Sequence, residues 1–482
     1  MKQMLCMLSF AVGILSSCSS NLTHSEFFTP VNENTLRAPA YPLVTIDPYT
    51  SGWSMSDRLN ADQVRHWTGK AFHLLGVIRI DGKCYRFMGE EKTPLQSLLP
   101  TAALEKWEAS YTYSQPKGDW TQIQFDDSSW KQGKAAFGTP EMQHLSTTWQ
   151  TPDIWVRRSF EVTDDWNGKE LFLNYSHDDV FELYVNGKEI VNTGHTWKND
   201  VMLELNDEVK ALLKPGKNVI AAHCHNSEGG AYVDFGLSEK MPDATFFTEA
   251  AQQKSAVVMP TQTYYTFECG GVQLDVVFTA PLLIDDLDKM TRPINYLSYQ
   301  VKPLDGSAHD VQIYLEATSS WATNVPGQEV SSMIDQTSNG VTYAKTGTTA
   351  QPILGMRGDD VRIDWGYFYL ASATRPNSSI GIGDFKDMKK AFSEQGFFST
   401  EKIMAPSNSE QSLGYVDNLG KVSSSASGFA MIGYDDIYAI QYYGDNRMAY
   451  WKHDGKVDMN QALGQAASDY VTTLDRCRDL DK

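Results

Sequence analysis

The sequence predicts a mainly β protein built from two β-sandwiches, with a short helix at its C-terminal end. Three observations carry that expectation. Between Phe72 and Trp451 the chain consists of short apolar runs of strand length, punctuated by Gly, Asn and Asp. Asp81-Gly82 and Asn186-Gly187 stand between such runs, and both central residues of a tight hairpin must accept positive φ. Only from Leu463 does the spacing change: Ala466, Ala467, Tyr470, Val471, Leu474 and Cys477 recur at the intervals of a helix with one buried face. Such a helix must find apolar surface, either on the β-rich body or within a further domain.

The N-terminal end reads as a targeting segment. Lys2 precedes an apolar run from Met4 to Leu15, followed by Leu15-Ser16-Ser17-Cys18. The run is too short to span a bilayer as a helix. Ending on Cys after Leu-Ser-Ser, it resembles the signal of a bacterial lipoprotein. That resemblance implies removal of residues 1–17, acylation of Cys18, and export to the outer membrane of a Gram-negative bacterium, with the periplasmic or surface face left open. Residues 18–34 would then tether the body to the lipid bilayer. Four cysteines remain, Cys84, Cys224, Cys269 and Cys477, far apart and inside apolar patterns. Buried free thiols are expected, although export permits disulfides.

The body divides by composition. A first block, residues 35–102, holds Asp47-Pro48-Tyr49, Trp53, His66-Trp67-Thr68-Gly69 and a hairpin from Phe72 to Met88 turning at Asp81-Gly82. A second, residues 103–240, carries strands such as Ile154 to Phe160, Leu171 to Leu173 and Phe181 to Val185. Pro215-Gly216 turns into an unbroken apolar strand from Val219. A third, residues 255–456, offers Thr263–Glu268, Val272–Phe278, Ile294–Val301, Val311–Ala317 and Ile437–Tyr443 as sandwich strands.

Asp126-Asp127-Ser128-Ser129-Trp130, the strand from Trp155 to Phe160, Ser176-His177-Asp178-Asp179 and Val185-Asn186-Gly187-Lys188 give the second block a recognisable pattern. It resembles the galactose-binding-like jelly-roll domain at the N-terminus of beta-galactosidase-type glycoside hydrolases. The flanking blocks carry Arg37-Ala38-Pro39-Ala40-Tyr41-Pro42, Asp47-Pro48-Tyr49, Asp359-Asp360, Ile363-Asp364-Trp365-Gly366-Tyr367, Gly433-Tyr434-Asp435-Asp436 and Asp469-Tyr470. They resemble the non-catalytic N-terminal half of the glutaminase A-like family of secreted hydrolases. The resemblance implies that the jelly roll is inserted between two parts of one sandwich. It also implies that residues 459–482 begin an α/α-toroid catalytic domain absent from this sequence.

Candidate site residues follow from charge and aromatic content. The acid pairs Asp178-Asp179, Asp285-Asp286, Asp359-Asp360 and Asp435-Asp436 suit turns, because Asp caps nearby backbone amides. Asp359, Asp360, Asp364, Trp365, Asp435 and Asp436 are candidates for loops facing a catalytic domain. Trp149, His177, Asp178 and Trp197 are candidates for a glycan platform, an aromatic face with carboxyl groups for hydroxyls. His223 and His225 share a strand face, but no third metal ligand is evident, and neither a metal nor a cofactor is implied. A net charge of −19 argues against nucleic acid as a partner. No G-x-S-x-G, H-E-x-x-H or P-loop occurs. The expected function is that of a membrane-anchored accessory portion of a glutaminase A-like hydrolase, positioning a helical catalytic domain and contacting carbohydrate. The alternatives are a self-sufficient hydrolase of glutamine-type amides or glycosidic bonds, and a glycan-binding lipoprotein.

Overall fold

The computed structural model describes residues 25–91, 95–163, 166, 168–241, 245–355, 360–398 and 402–482. Cys18 and Asp359 lie outside the described residues. The fold is mainly β, as the sequence predicts, with two sandwiches that have separate hydrophobic cores.

The outer sandwich pairs a nine-stranded sheet with a five-stranded one. The larger sheet runs in spatial order Gln252–Val258, Gln262–Cys269, Val272–Thr279, Ile294–Pro303, Ala426–Asp435, Tyr367–Ala373, Val341–Thr348, Val330–Gln336 and Ile403–Ser407. The smaller runs Ser378–Gly383, Ser412–Val422, His309–Thr318, Leu74–Ile80 and Lys83–Met88. The early hairpin therefore completes a sheet whose other strands come more than 220 residues later, with Ile78 opposite Ile313. Asp81 and Gly82 turn it at φ 49° and 89°, as the hairpin chemistry requires. A buried carboxylate fastens it from below: Glu316 lies 2.9 Å from His73 Nε2 and 3.4 Å from Lys389 Nζ, and accepts the hydroxyl of Tyr314. Burial works to raise this carboxyl, but Lys389 and His73 hold it below the ordinary range.

The second sandwich sits between the two parts of the first along the chain. One six-stranded sheet carries Asp153–Val162 paired to Gly216–His225; the facing sheet carries Leu171–Asp178 paired to Tyr232–Lys240. Its sheets also take in Leu95–Leu99, ahead of residue 103, through pairing with Tyr232–Lys240. Asn186 and Gly187 again adopt positive φ in a tight turn.

Two expected elements differ. Ile437–Tyr443 is not a sandwich strand: the sheet strand is Ala426–Asp435, and Ile440–Tyr442 pairs only with Asp445–Arg447 in an exposed ribbon. Asp435 ends the sheet strand by accepting the amide of Ile437 at 2.9 Å, and Ile437 itself turns at φ 60°. The terminal helix is two helices, Met459–Ser468 and Tyr470–Leu480, broken at Asp469. There the carboxylate pairs with Arg292 at 3.1 Å and with Lys289. Both helices dock on the outer face of the nine-stranded sheet. Leu463, Ala466, Tyr470 and Leu474 share a core with Tyr296, Tyr369, Phe429 and Met431. Asp458 and Gln461 form a capping box that starts the first of them.

All four cysteines are free; Cys224 and Cys477 are buried, while Cys84 and Cys269 are half-buried. Burial pushes the thiols of Cys269 and Cys477 up to about 12, so neither is a reactive thiolate at neutral pH. Among the described residues no helix is long and apolar enough to cross a membrane.

Candidate functional site

Four loops far apart in the chain meet at one end of the outer sandwich. The first is the turn between Tyr41–Asp47 and Thr50–Ser54, where Asp47 Oδ1 accepts the amides of Tyr49 at 2.7 Å and Thr50 at 2.9 Å. The second, residues 66–69, clasps that turn. Trp67 Nε1 donates to the Pro48 carbonyl at 2.7 Å, and His66 Nε2 lies 3.1 Å from the same oxygen. Burial lowers His66 to about 4, so its ring is neutral at physiological pH.

The third loop, Asp360 to Gly366, is organised by a buried guanidinium. Arg362 donates to the Asn324 carbonyl at 3.0 and 2.6 Å, to Asp360 at 2.5 Å and to Thr68 Oγ1 at 3.3 Å. Trp365 is only 3% exposed and anchors the fourth loop, residues 436–439, by donating to the Tyr438 carbonyl at 3.2 Å. The Trp365 carbonyl in turn accepts the Tyr434 hydroxyl at 2.8 Å. Gly366 sits at φ 79° against the Asp435 carbonyl, where a Cβ would come within 2.0 Å of the oxygen, so this junction requires glycine.

The carboxyl groups at this end differ in environment. Asp435 pairs with Lys452 at 2.5 Å. Its neighbour Asp436 has no cation at hydrogen-bond distance among the described residues, and its buried Oδ1 has no partner. Burial first, then repulsion from Asp435 and Asp47, pushes Asp436 up to about 7, with Lys452 opposing. Burial also raises Asp47 and Asp364; Asp364 keeps one bond from Gln328 Nε2 at 2.8 Å. A carboxyl poised near neutrality can give or take a proton. No group of three or more His, Cys, Asp or Glu among the described residues is placed to hold a metal ion.

The structure thus brings Asp360, Asp364, Trp365, Asp435 and Asp436 together, although Asp364 and Trp365 are buried rather than solvent-facing. Asp47, Trp67, Arg362 and Lys452 complete the same end and were not among the residues selected from sequence. Asp47 and Trp67 stood in noticeable motifs, but nothing in one dimension joins Pro48 to an indole nineteen positions on. Beside these loops the ribbon 440–447 projects outward, with Ile440, Tyr442 and Tyr443 exposed by 57%, 57% and 92%.

The glycan platform expected on the second sandwich does not form. Trp149 is 0% and His177 1% exposed, both inside the core, and His177 stacks on Phe181 with ring centres 4.7 Å apart. Of the two tryptophans expected there, Trp197, half-exposed on a loop, is the one that reaches solvent. Asp178 is pushed up to about 6 by burial and by Asp179, which accepts the amide of Ser227 at 2.8 Å. His223 Nε2 and His225 Nδ1 lie 2.9 and 3.0 Å from one oxygen of Asp153, which partners one nitrogen of each ring. Asp285 and Asp286 pair with Arg476 of the last helix at 2.9 and 2.5 Å. These acids fasten structure.

Comparison with known proteins adds sequence relationships. Residues 261–482 match the model of a domain of unknown function, DUF5127. Residues 12–100 match a second, DUF4964. The second of these matches ends on the Leu95–Leu99 strand of the second sandwich, the first begins after that sandwich, and the first includes both terminal helices. The chain is also 27% identical over 201 residues to glutaminase A of Aspergillus oryzae, a match covering 41% of this chain and 29% of that protein. It therefore spans less than a third of that relative's length. Among solved structures, a glycosyl hydrolase family 2 member from Bacteroides cellulosilyticus aligns with TM-score 0.23 and 10% identity, covering 58% of this chain and 34% of the other. A beta-glycosidase from Bacteroides vulgatus aligns with TM-score 0.24 and 12% identity, over 59% and 32%. Scores this low carry no functional likeness.

Proposed function

We propose that this chain is the accessory portion of a glutaminase A-like hydrolase, tethered to a membrane through acylated Cys18. Its loop end seats a helical catalytic domain. The observation that carries the reading is the convergence of four loops beside an exposed aromatic ribbon, next to the turn that feeds the terminal helices. That turn, Tyr450–Lys452, is joined to the loop end through Lys452 and Asp435. Leaving Ile440, Tyr442 and Tyr443 in water is unfavourable, and exposed apolar side chains gathered on one short ribbon, with the rings of Tyr442 and Tyr443 4.5 Å apart, suit a protein interface. The weak relationship to glutaminase A supports a hydrolase context.

The ribbon makes no ladder with either sandwich, so it can be changed without disturbing a core. Replacing Ile440, Tyr442 and Tyr443 by serine is expected to leave the unfolding midpoint of the chain unchanged. The same triple variant is expected to weaken copurification with a coexpressed helical domain of this family by roughly a hundredfold, as loss of central aromatic anchors does at other interfaces. Undiminished association of the variant would refute the docking face.

A further inference from the structure

The strand Leu74–Ile80 leaves the loop end and reaches Asp81 at the far end of the outer sandwich. Three turns meet there: Asp81-Gly82, Gly270-Gly271, and the turn between Ile294–Pro303 and His309–Thr318. His309 lies between them, its side chain 10% exposed. Nδ1 stands 2.7 Å from Asp81 Oδ2, and Nε2 stands 3.1 Å from Asp305 Oδ1. Gly271 closes on the ring, since a Cβ there would come within 3.0 Å of His309 Cε1. Each carboxylate is also tied to its surroundings. Asp81 Oδ1 accepts the Asp310 amide at 2.9 Å, and Asp305 Oδ1 accepts the Ser307 amide at 2.8 Å.

This geometry fixes the proton count on the ring. An ionised carboxylate only accepts, and a neutral imidazole has a single N–H, so a neutral ring cannot donate to both. Both contacts form together when both ring nitrogens carry protons. The hydrogen bonds to Asp81 and Asp305 raise His309 above its ordinary 6.5, with burial opposing. The ring in turn lowers Asp81, while the Ser307 amide and the ring lower Asp305. The other charged groups on the adjoining strands are Lys83, Asp310 and Lys421, and Asp310 accepts Gln312 Nε2 at 3.0 Å.

We propose that His309 is a proton-closed clasp, a pH-sensitive tie between the early hairpin and the late part of the outer sandwich. Charged, the ring holds the Asp81 turn and the Asp305 turn at once. Neutral, it turns a lone pair toward one of the two carboxylates, and that tie is lost. A folded value raised above the unfolded one means that the clasp's stabilisation is complete below about pH 6.5. It is lost as the pH rises through the raised value. The segments that it joins lie 228 positions apart in the chain, so it reinforces a contact that only the folded sandwich makes. The clasp depends neither on the docking face of the ribbon nor on the membrane tether.

The test is an NMR titration of the His309 ring on the intact chain, its signal assigned by its loss in His309→Gln. The parent ring is expected to titrate above 6.5. Asp81→Asn and Asp305→Asn are each expected to lower that midpoint, and asparagine tolerates the φ of 49° at position 81. Hydrogen exchange supplies a second readout at the Asp310 and Ser307 amides, one bonded to each carboxylate. Relative to an unstructured chain, the protection of at least one is expected to fall roughly tenfold from about pH 6 to about pH 9. The same amides in His309→Gln should hold level protection over that range. A parent midpoint at or below 6.5 overturns the clasp, as does a midpoint unmoved in both asparagine variants. Protection that falls at neither amide, or falls equally in His309→Gln, overturns it too.

Discussion

Tyr470→Ala is expected to destabilise the chain by about 3–5 kcal/mol, the usual cost of deleting a large buried aromatic. The ring is 3% exposed and stacks on Phe429 with centres 3.9 Å apart and planes within 3°. Its hydroxyl shares a 2.7 Å hydrogen bond with Ser298 Oγ in the sheet beneath. Alanine would therefore open a cavity, remove the stack and strand a buried hydroxyl at once. The seam between sheet and helices has other ties, including Tyr296 to the Ala466 carbonyl at 3.0 Å and Asp481 to the Thr261 amide at 2.8 Å. Tyr470→Phe, which keeps the ring, should lose only about 1 kcal/mol. Urea unfolding of the three proteins measures both effects. An alanine variant as stable as the parent would mean that the helices contribute nothing to the sandwich.

Asp436→Asn is expected to stabilise the chain in a pH-dependent way. An unfolded carboxyl titrates near 3.8, whereas the folded Asp436 is pushed up to about 7. Between these values the folded state holds a proton that the unfolded state releases. The penalty for the charged form is thus complete above pH 7 and disappears as the pH falls toward 4. Asparagine cannot ionise, so the variant should exceed the parent by about 2–4 kcal/mol at pH 8, after discounting for partial exposure, and match it near pH 4. Urea midpoints of both proteins at the two pH values give the difference directly, because groups common to both cancel. Equal stability at pH 8 would show that Asp436 is not strained by burial and by its neighbours Asp435 and Asp47.

The local grammar of this sequence was largely readable. Asp81-Gly82 and Asn186-Gly187 turn where their chemistry requires, and the runs from Thr263, Val272, Ile294 and Val311 are strands. The error at Ile437–Tyr443 is instructive: an apolar run fits a strand equally well inside a sheet and on an exposed ribbon. The break at Asp469 was hidden because its cause lies 177 residues away, in Arg292. His177 could have been placed correctly. It shares the period-two register of Leu171, Leu173 and Tyr175, all buried, so its ring had to face the core. The gathering of Asp47, Trp67, Arg362, Trp365 and Asp436 was not readable, since it depends on which strands pair. An early hairpin completing a late sheet leaves no periodic trace in the chain.

Ammonia release from L-glutamine tests the account most directly. The purified chain is assayed alone and then with a helical companion domain added. Release at background rate by the chain alone, rising only with the companion and falling again when Ile440, Tyr442 and Tyr443 are serine, is the predicted result. Turnover by the chain alone, abolished by Asp436→Asn, would contradict it and make the loop end an active site in its own right.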